Sequence, residues 1–227
     1  MIHRTTALVR LILFSEVFMK NKITSLCECA VMLALATALS FVKLWQMPLG
    51  GSVTLVSMLP LFIIAVKHRF SYALGTAYLY SLIQLMQAIM EGDVFVYCEG
   101  ALLIAVCVAF DYLLPFTSLC LAGVFKRYHL YREKKNGKIV YVRDFGIYIG
   151  IFTAILCRFT CHLITGAFIW GQWAPEGLSK WAYSLLYNGS YLGVELILTV
   201  FVSSMLFAVP KMRGLLGLKR ESEITLS

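Results

Sequence analysis

Six apolar stretches, at roughly 24–45, 53–67, 71–90, 99–125, 145–170 and 182–209, take up most of this 227-residue chain. A helix needs about 20 apolar residues to cross the hydrocarbon core of a bilayer. With 60% hydrophobic residues, 14% charged residues and a mean hydropathy of +0.80, the chain has too little polar surface to cover a soluble domain. The expectation is therefore an all-α integral membrane protein, with six transmembrane helices in one compact bundle and no room for a separate soluble catalytic domain.

The charge pattern orients that bundle. All but three of the 20 Lys and Arg residues lie before the first stretch, after the second, after the fourth or in the C-terminal tail. The exceptions are Lys43, Lys180 and Arg158. Positive charge stays cytoplasmic, so both termini are expected inside the cell membrane. The same bias accounts for the net charge of +8 without a nucleic-acid partner. Residues 1–18 read as an N-terminal extension, either an interfacial segment or sequence upstream of a start at Met19. Residues 19–215 read as the transmembrane domain and 216–227 as a cytoplasmic tail.

Gly, Pro and Ser crowd the approach to the second stretch, MPLGGSVTLVSMLP, and Pro60 interrupts it. A loop that dips into the protein before the helix starts is expected there, since irregular backbone at membrane depth survives only where protein or a cavity satisfies it. Residues 126–143 form a charged linker with a turn signal at Asn136–Gly137, and the loops 46–53, 91–98 and 171–181 fall on the opposite side. Glu91, Asp93 and Glu99 sit in or beside the second of these loops. The seven cysteines lack the spacing of a zinc framework and read as small apolar residues, so no metal and no cofactor is expected.

The stretch CHLITGAFIWGQWAPEGLSKWAYSLLYN, from Cys161 to Asn188, carries the strongest functional signal. Trp170, Trp173, Trp181, Tyr183 and Tyr187 surround a loop beside His162 and Asn188. These rings are belt residues at the membrane boundary or, as favoured here, walls of a pocket for a flat, cationic or heteroaromatic ligand. Asp111, followed by Tyr112, and Arg158, His162 and Glu195 lie at membrane depth, where charges face a cavity or one another. Asp111 admits two readings, a bridge to Arg158 or a carboxylate for an amine-bearing ligand. Glu195 is a second pocket wall or a partner for Arg158. Ala30, Ala34 and Ala38 make a smooth stripe on the first helix, suited to an internal contact or to another protein's helix, and Gly146-x-x-x-Gly150 is a weaker signal of the same kind. Phosphate-loop, H-E-x-x-H and G-x-S-x-G patterns are missing.

Taken together, MPLGGSVTLVSMLP, Asp111–Tyr112, the R-x-x-x-H of Arg158 and His162, Trp170, and the Y-S-L-x-Y-N-G of Tyr183–Gly189 resemble the thiamine-specific substrate-binding subunit of energy-coupling-factor transporters. The resemblance runs over most of the chain from Met19. It implies a non-enzymatic six-helix protein that captures thiamine from outside and associates with a transmembrane coupling protein and two ATPase subunits. It places the family's pocket carboxylate, usually Glu, on Asp111, its histidine on His162, its stacking tryptophan on Trp170, its tyrosine and asparagine on Tyr183 and Asn188, and its basic residue on Arg158. The family's docking stripe falls on Ala30, Ala34 and Ala38. Tyr112, Tyr187 and Glu195 complete the expected pocket, and the 46–53 loop is a candidate lid. Asp in place of Glu shortens the carboxylate arm. Gly51 stands where some members carry an aromatic residue, so that wall must come from elsewhere, and the 91–98 loop is longer. The alternatives are a subunit for another heteroaromatic vitamin, an intramembrane enzyme using His162, Asp111 and Glu195, and a small channel.

Overall fold

The computed structural model describes residues 2–47, 50–91, 98, 100–126, 130–133, 139–143 and 145–216. Side chains are described from residue 21 on, apart from the 130–143 segment, Pro210 and Gly214. Asp93, Glu99, Asn136–Gly137 and most of the 216–227 tail lie outside the described residues.

The order is α1 (Ile2–Ser40), β1 (Lys43–Gln46), β2 (Ser52–Thr54), α2 (Leu59–Lys67), α3 (Phe70–Glu91), α4 (Ala101–Cys107), a π-helical segment (Val108–Leu113), α5 (Leu114–Thr117), a 3-10 segment (Ser118–Gly123), β3 (Leu130–Glu133), β4 (Ile139–Arg143), α6 (Phe145–Phe168), a 3-10 turn (Trp170–Trp173), α7 (Lys180–Ala208) and α8 (Pro210–Leu215). Among the described residues, five helical stretches are long and apolar enough to cross a membrane: Asn21–Ser40, Phe70–Glu91, Ala101–Gly123, Phe145–Phe168 and Lys180–Ala208. α2, with nine residues, is shorter than a crossing requires. It is buried along almost its whole length, from Pro60 to Val66.

The polarity is inverted relative to a soluble protein. Met90, Leu102 and Ile197 are at least two-thirds exposed, whereas Ser81, Ser184 and Ser203 are fully buried. An apolar exterior around a polar interior suits hydrocarbon as solvent.

The break between the first two helices is wider than composition indicates. α1 stops at Ser40 instead of continuing to 45, and α2 starts at Leu59 instead of 53. The intervening residues pair as the antiparallel hairpin β1–β2, with Trp45 opposite Val53 and Gln46 opposite Ser52. Hairpin pairing satisfies the backbone of the re-entrant segment, the need that membrane depth imposes. A second hairpin, β3–β4, forms in the charged linker, so the chain is helical with two small two-stranded additions. Pro60 falls in the first turn of α2, where its missing N–H costs nothing.

The fourth stretch changes helix type along its length. Pro115 cannot donate to the carbonyl four residues back, that of Asp111, and its ring crowds that carbonyl. The backbone widens into a π segment over 108–113, where Leu114 N–H bonds to the Ala109 carbonyl. The core lies where α2, the 118–123 segment, α3 and α6 meet around Phe62, Tyr80, Leu119, Ile147 and Ile151. A Cβ on Gly150 would come 2.1 Å from the Ala122 carbonyl oxygen, so the G-x-x-x-G of α6 serves an internal contact. At one end of the bundle Glu28 of α1 holds Lys67 at 2.8 Å and His68 at 2.7 Å, fastening α1 to the α2–α3 junction.

Candidate functional site

The π segment that Pro115 imposes turns Asp111 and Tyr112 toward α6 and α3. π-bulges concentrate at functional sites because the extra residue re-aims side chains. Asp111 Oδ2 accepts a hydrogen bond from Trp170 Nε1 at 3.1 Å, and Cys107 Sγ lies 3.5 Å from the same oxygen. Asp111 Oδ1 accepts from the Thr165 hydroxyl and lies 3.1 Å from His162 Nδ1. A carboxylate can only accept, so His162 Nδ1 carries a proton. Its Nε2 lies 3.4 Å from the Nε–H of Arg158 and must accept. The imidazole is therefore the neutral Nδ1–H tautomer.

Arg158 pairs with Glu195, not Asp111. Its Nη1 lies 3.0 Å from Glu195 Oε2 and 3.0 Å from Met58 Sδ, and its guanidinium carbon sits 4.5 Å above the Phe116 ring. Residue spacing left the partner open, and packing decides it: Glu195 faces Arg158 across the α6–α7 contact, while Asp111 lies one turn further along α6, opposite His162 and Thr165. The free oxygen of Glu195 accepts from Thr54 N–H at 3.0 Å and from the Thr54 hydroxyl at 2.8 Å. This buried carboxylate thus pins the re-entrant segment as well as the arginine. Just beyond the pin, Val56 adopts φ +54°, a left-handed conformation that a β-branched residue rarely takes.

Asn188 joins α7 to α6. Its amide nitrogen donates to the His162 carbonyl at 3.1 Å, and its oxygen accepts from the Tyr191 hydroxyl at 3.0 Å. The wall missing at Gly51 comes from α7: a Cβ there would meet the Tyr191 ring at 3.0 Å and the Tyr187 ring at 3.2 Å. Gly51 N–H also donates to the Tyr187 hydroxyl at 3.3 Å.

These groups enclose a cavity of about 150 Å³. Asp111, Tyr112, Arg158, His162, Trp170, Tyr183, Tyr187, Asn188 and Glu195, all expected from the sequence, line it together. Of the three tryptophans in the aromatic loop, Trp170 lines it, while Trp173 and Trp181 are about half exposed and Trp181 meets the exposed Phe168 edge to face. Sequence reasoning missed Thr54, Thr165 and Tyr191, and also Ser40, Gln84 and Gln87 on the α1–α3 wall. Gln84 and Gln87, polar residues in an apolar helix, were a readable signal. Ala30, Ala34 and Ala38 are all exposed, so the stripe makes no internal contact.

Among the described residues, the charges lining the cavity can be paired off. Arg158 is matched by Glu195 and Lys43 by Glu91 at 2.5 Å. Asp111 is left with neutral donors only and carries one uncompensated negative charge beside an aromatic ring. A cavity of this kind in a helical membrane bundle suits a small cationic aromatic ligand.

Comparison with known proteins gives the family. Residues 26–213 match the family described as Thiamine transporter protein (Thia_YuaJ), and the chain belongs to it. It is 30% identical to the thiamine transporter ThiT of Bacillus subtilis over 191 residues, covering 82% of this chain and 92% of that one. With ThiT of Lacticaseibacillus paracasei it shares 24% identity over 187 residues, 80% of this chain and 86% of that one. The solved structure of ThiT from Listeria monocytogenes has the same fold, with a TM-score of 0.61 at 20% identity over 85% of this chain and 98% of that one. The chain is a multi-pass protein of the cell membrane.

Proposed function

We propose that this chain captures thiamine from outside the cell as the substrate-binding subunit of an energy-coupling-factor transporter, with ATP hydrolysed on partner subunits. The observation that carries the ligand is the uncompensated carboxylate of Asp111, held by Trp170 and His162 on the cavity wall. Thiamine offers an aminopyrimidine that stacks on an indole and donates to a carboxylate, and a permanently cationic thiazolium that suits a site with one excess negative charge. The names of the relatives point to the same ligand. In this reading the short α2 is the sixth helix of the bundle, both termini are cytoplasmic, and the β1–β2 hairpin closes over bound thiamine. Ala30, Ala34 and Ala38 face outward to a transmembrane coupling protein.

Titration of the purified chain in detergent with thiamine, riboflavin and biotin, followed by tryptophan fluorescence, tests the ligand. Saturable quenching by thiamine alone is the expected result. Quenching by another vitamin instead would move the chain to a different substrate, and no response to any would remove the binding reading.

A further inference from the structure

Two of the free cysteines meet behind the cavity wall. Cys98 precedes α4, and Cys107 is the last residue of that helix. They are 6% and 0% exposed and share a small cluster with Ile169, backed by Tyr112 and Trp170. Their thiols hydrogen-bond to one another. Cys107 Sγ also lies 3.5 Å from Asp111 Oδ2, and because a carboxylate only accepts, that contact is an S–H donation. Neither cysteine lines the cavity, yet one hydrogen bond joins the pair to the carboxylate that does.

Spacing excludes the two pairs of cysteines that are closest in sequence. Cys157 and Cys161 are one turn apart on α6, where Cβ atoms stand about 5–6 Å apart, beyond the ~3.5–4.5 Å of a disulfide. Cys27 and Cys29 are two positions apart on α1 and do not face each other. In the proposed orientation, the connection from α3 to α4 that carries Cys98 faces outside the cell, where disulfides form and persist. Burial pushes the Cys98 thiol above its ordinary range, which slows its reaction with oxidants.

We propose that Cys98 and Cys107 are a redox-modification site, closed to a disulfide by a small disulfide-bearing molecule outside the cell. The Cys98 thiolate attacks one sulfur of that molecule, its S–S bond breaks, and a thiolate leaves. The Cys107 thiolate then attacks the Cys98 sulfur and expels the second thiolate. The two protein protons end on the two released thiols, so the cysteines are oxidised and the small disulfide is reduced. Closure removes the S–H donor from Asp111 Oδ2, leaving the Trp170 bond on that oxygen. The outward location rests on the orientation proposed above, and an effect on thiamine binding rests on the thiamine reading.

The test incubates the purified full chain with hydroxyethyl disulfide. The chain is then unfolded, its free thiols are alkylated, and the digest is mapped by mass spectrometry. A Cys98–Cys107 cross-link, reversed by a thiol reductant, is the expected result. Recovery of both residues as alkylated thiols, while the exposed Cys27 has reacted with the reagent, would overturn the proposal. Thiol mapping on wild type needs no variant to fold.

Calorimetry then compares thiamine affinity before and after oxidation. One neutral hydrogen bond is worth roughly a two- to tenfold change in affinity. Oxidised wild type should differ from reduced wild type by that order, and reduced Cys107→Ala should match the oxidised protein, since both lack the donor. Cys98→Ser, which cannot close the bond, should bind equally before and after the reagent. A cross-linked chain with unchanged affinity would overturn the link to Asp111. Failure of the reduced chain to bind thiamine would overturn the thiamine reading and leave the cross-link result standing.

Discussion

Arg158 and Glu195 form an ion pair at 3.0 Å with both side chains almost wholly buried, and the same carboxylate holds the backbone and hydroxyl of Thr54. Helix α6, helix α7 and the re-entrant segment are thus tied at one group. Removing one partner from a buried pair costs about 3–5 kcal/mol, because the other charge is left uncompensated, whereas replacing both with apolar residues costs far less. Glu195→Ala should lower the unfolding temperature in detergent sharply. Arg158→Met with Glu195→Leu should recover most of that loss, yet bind ligand poorly because Thr54 loses its anchor. Equal stability for the single and double variants would show that the pair is not the fastening point.

Among the described residues, Asp111 is the one carboxylate of the cavity without a cationic partner. Asp111→Asn keeps the shape and removes the charge. A hydrogen bond to a charged group is worth about 1.5–3 kcal/mol, so thiamine affinity should fall roughly 10- to 150-fold. An analogue with a neutral ring in place of the thiazolium should lose much less. Isothermal titration with the two ligands would check this, and equal losses for both would mean that Asp111 acts through shape.

Trp170 plays two separable parts, since its N–H donates to Asp111 Oδ2 while its ring lines the cavity. Trp170→Phe retains an aromatic face and loses the donor, which should weaken binding about fivefold. Trp170→Ala also loses stacking, worth a further 0.5–1.5 kcal/mol or so beyond area. Because this tryptophan is also the optical reporter, affinities of both variants should be read by calorimetry. Equal losses for Phe and Ala would place the whole effect in the N–H bond.

Gly51 was legible as a gap in the wall, but its filler was not. Tyr187 and Tyr191 come from α7, far away in sequence, and only the fold brings their rings within 3.2 Å of a Cβ at position 51. Gly51→Phe should therefore abolish binding by driving into both rings. Gly51→Phe with Tyr187→Ala should restore it by moving the aromatic wall from α7 to the hairpin. Binding by the single variant would show that the hairpin shifts freely.

The same limit applies across the molecule. The long apolar runs predicted five of the helices, because length and composition decide a crossing locally. Asp111, His162, Trp170 and Asn188 were legible because polar or aromatic groups at membrane depth need a reason. The choice of Glu195 over Asp111 as partner for Arg158 depends on which turn of α6 faces which helix, and spacing along one chain carries no such information. The β1–β2 hairpin was hidden for a different reason: Lys43–Gln46 reads as the tail of an apolar run until the fold pairs it with Ser52–Thr54. The π segment was foreshadowed by Pro115, although proline signals a disturbance without specifying its form.

On the proposed reading, the outward stripe separates ligand capture from delivery. Ala30, Ala34 and Ala38 are exposed on α1, and none of the three lines the cavity. Close approach of helices in a bilayer depends on small side chains at the contact, so one bulky residue there blocks docking without touching the pocket. Ala34→Trp should leave thiamine affinity of the isolated chain within about twofold of wild type, since a surface substitution changes stability by only about 0.5 kcal/mol. Uptake of labelled thiamine by cells that also make the coupling protein and ATPases should fall to background. Co-purification of the variant with its partners would give the same answer independently. Undiminished uptake would remove the stripe from the docking surface, and loss of binding by the isolated variant would place the Ala30–Ala38 face of α1 in the ligand site.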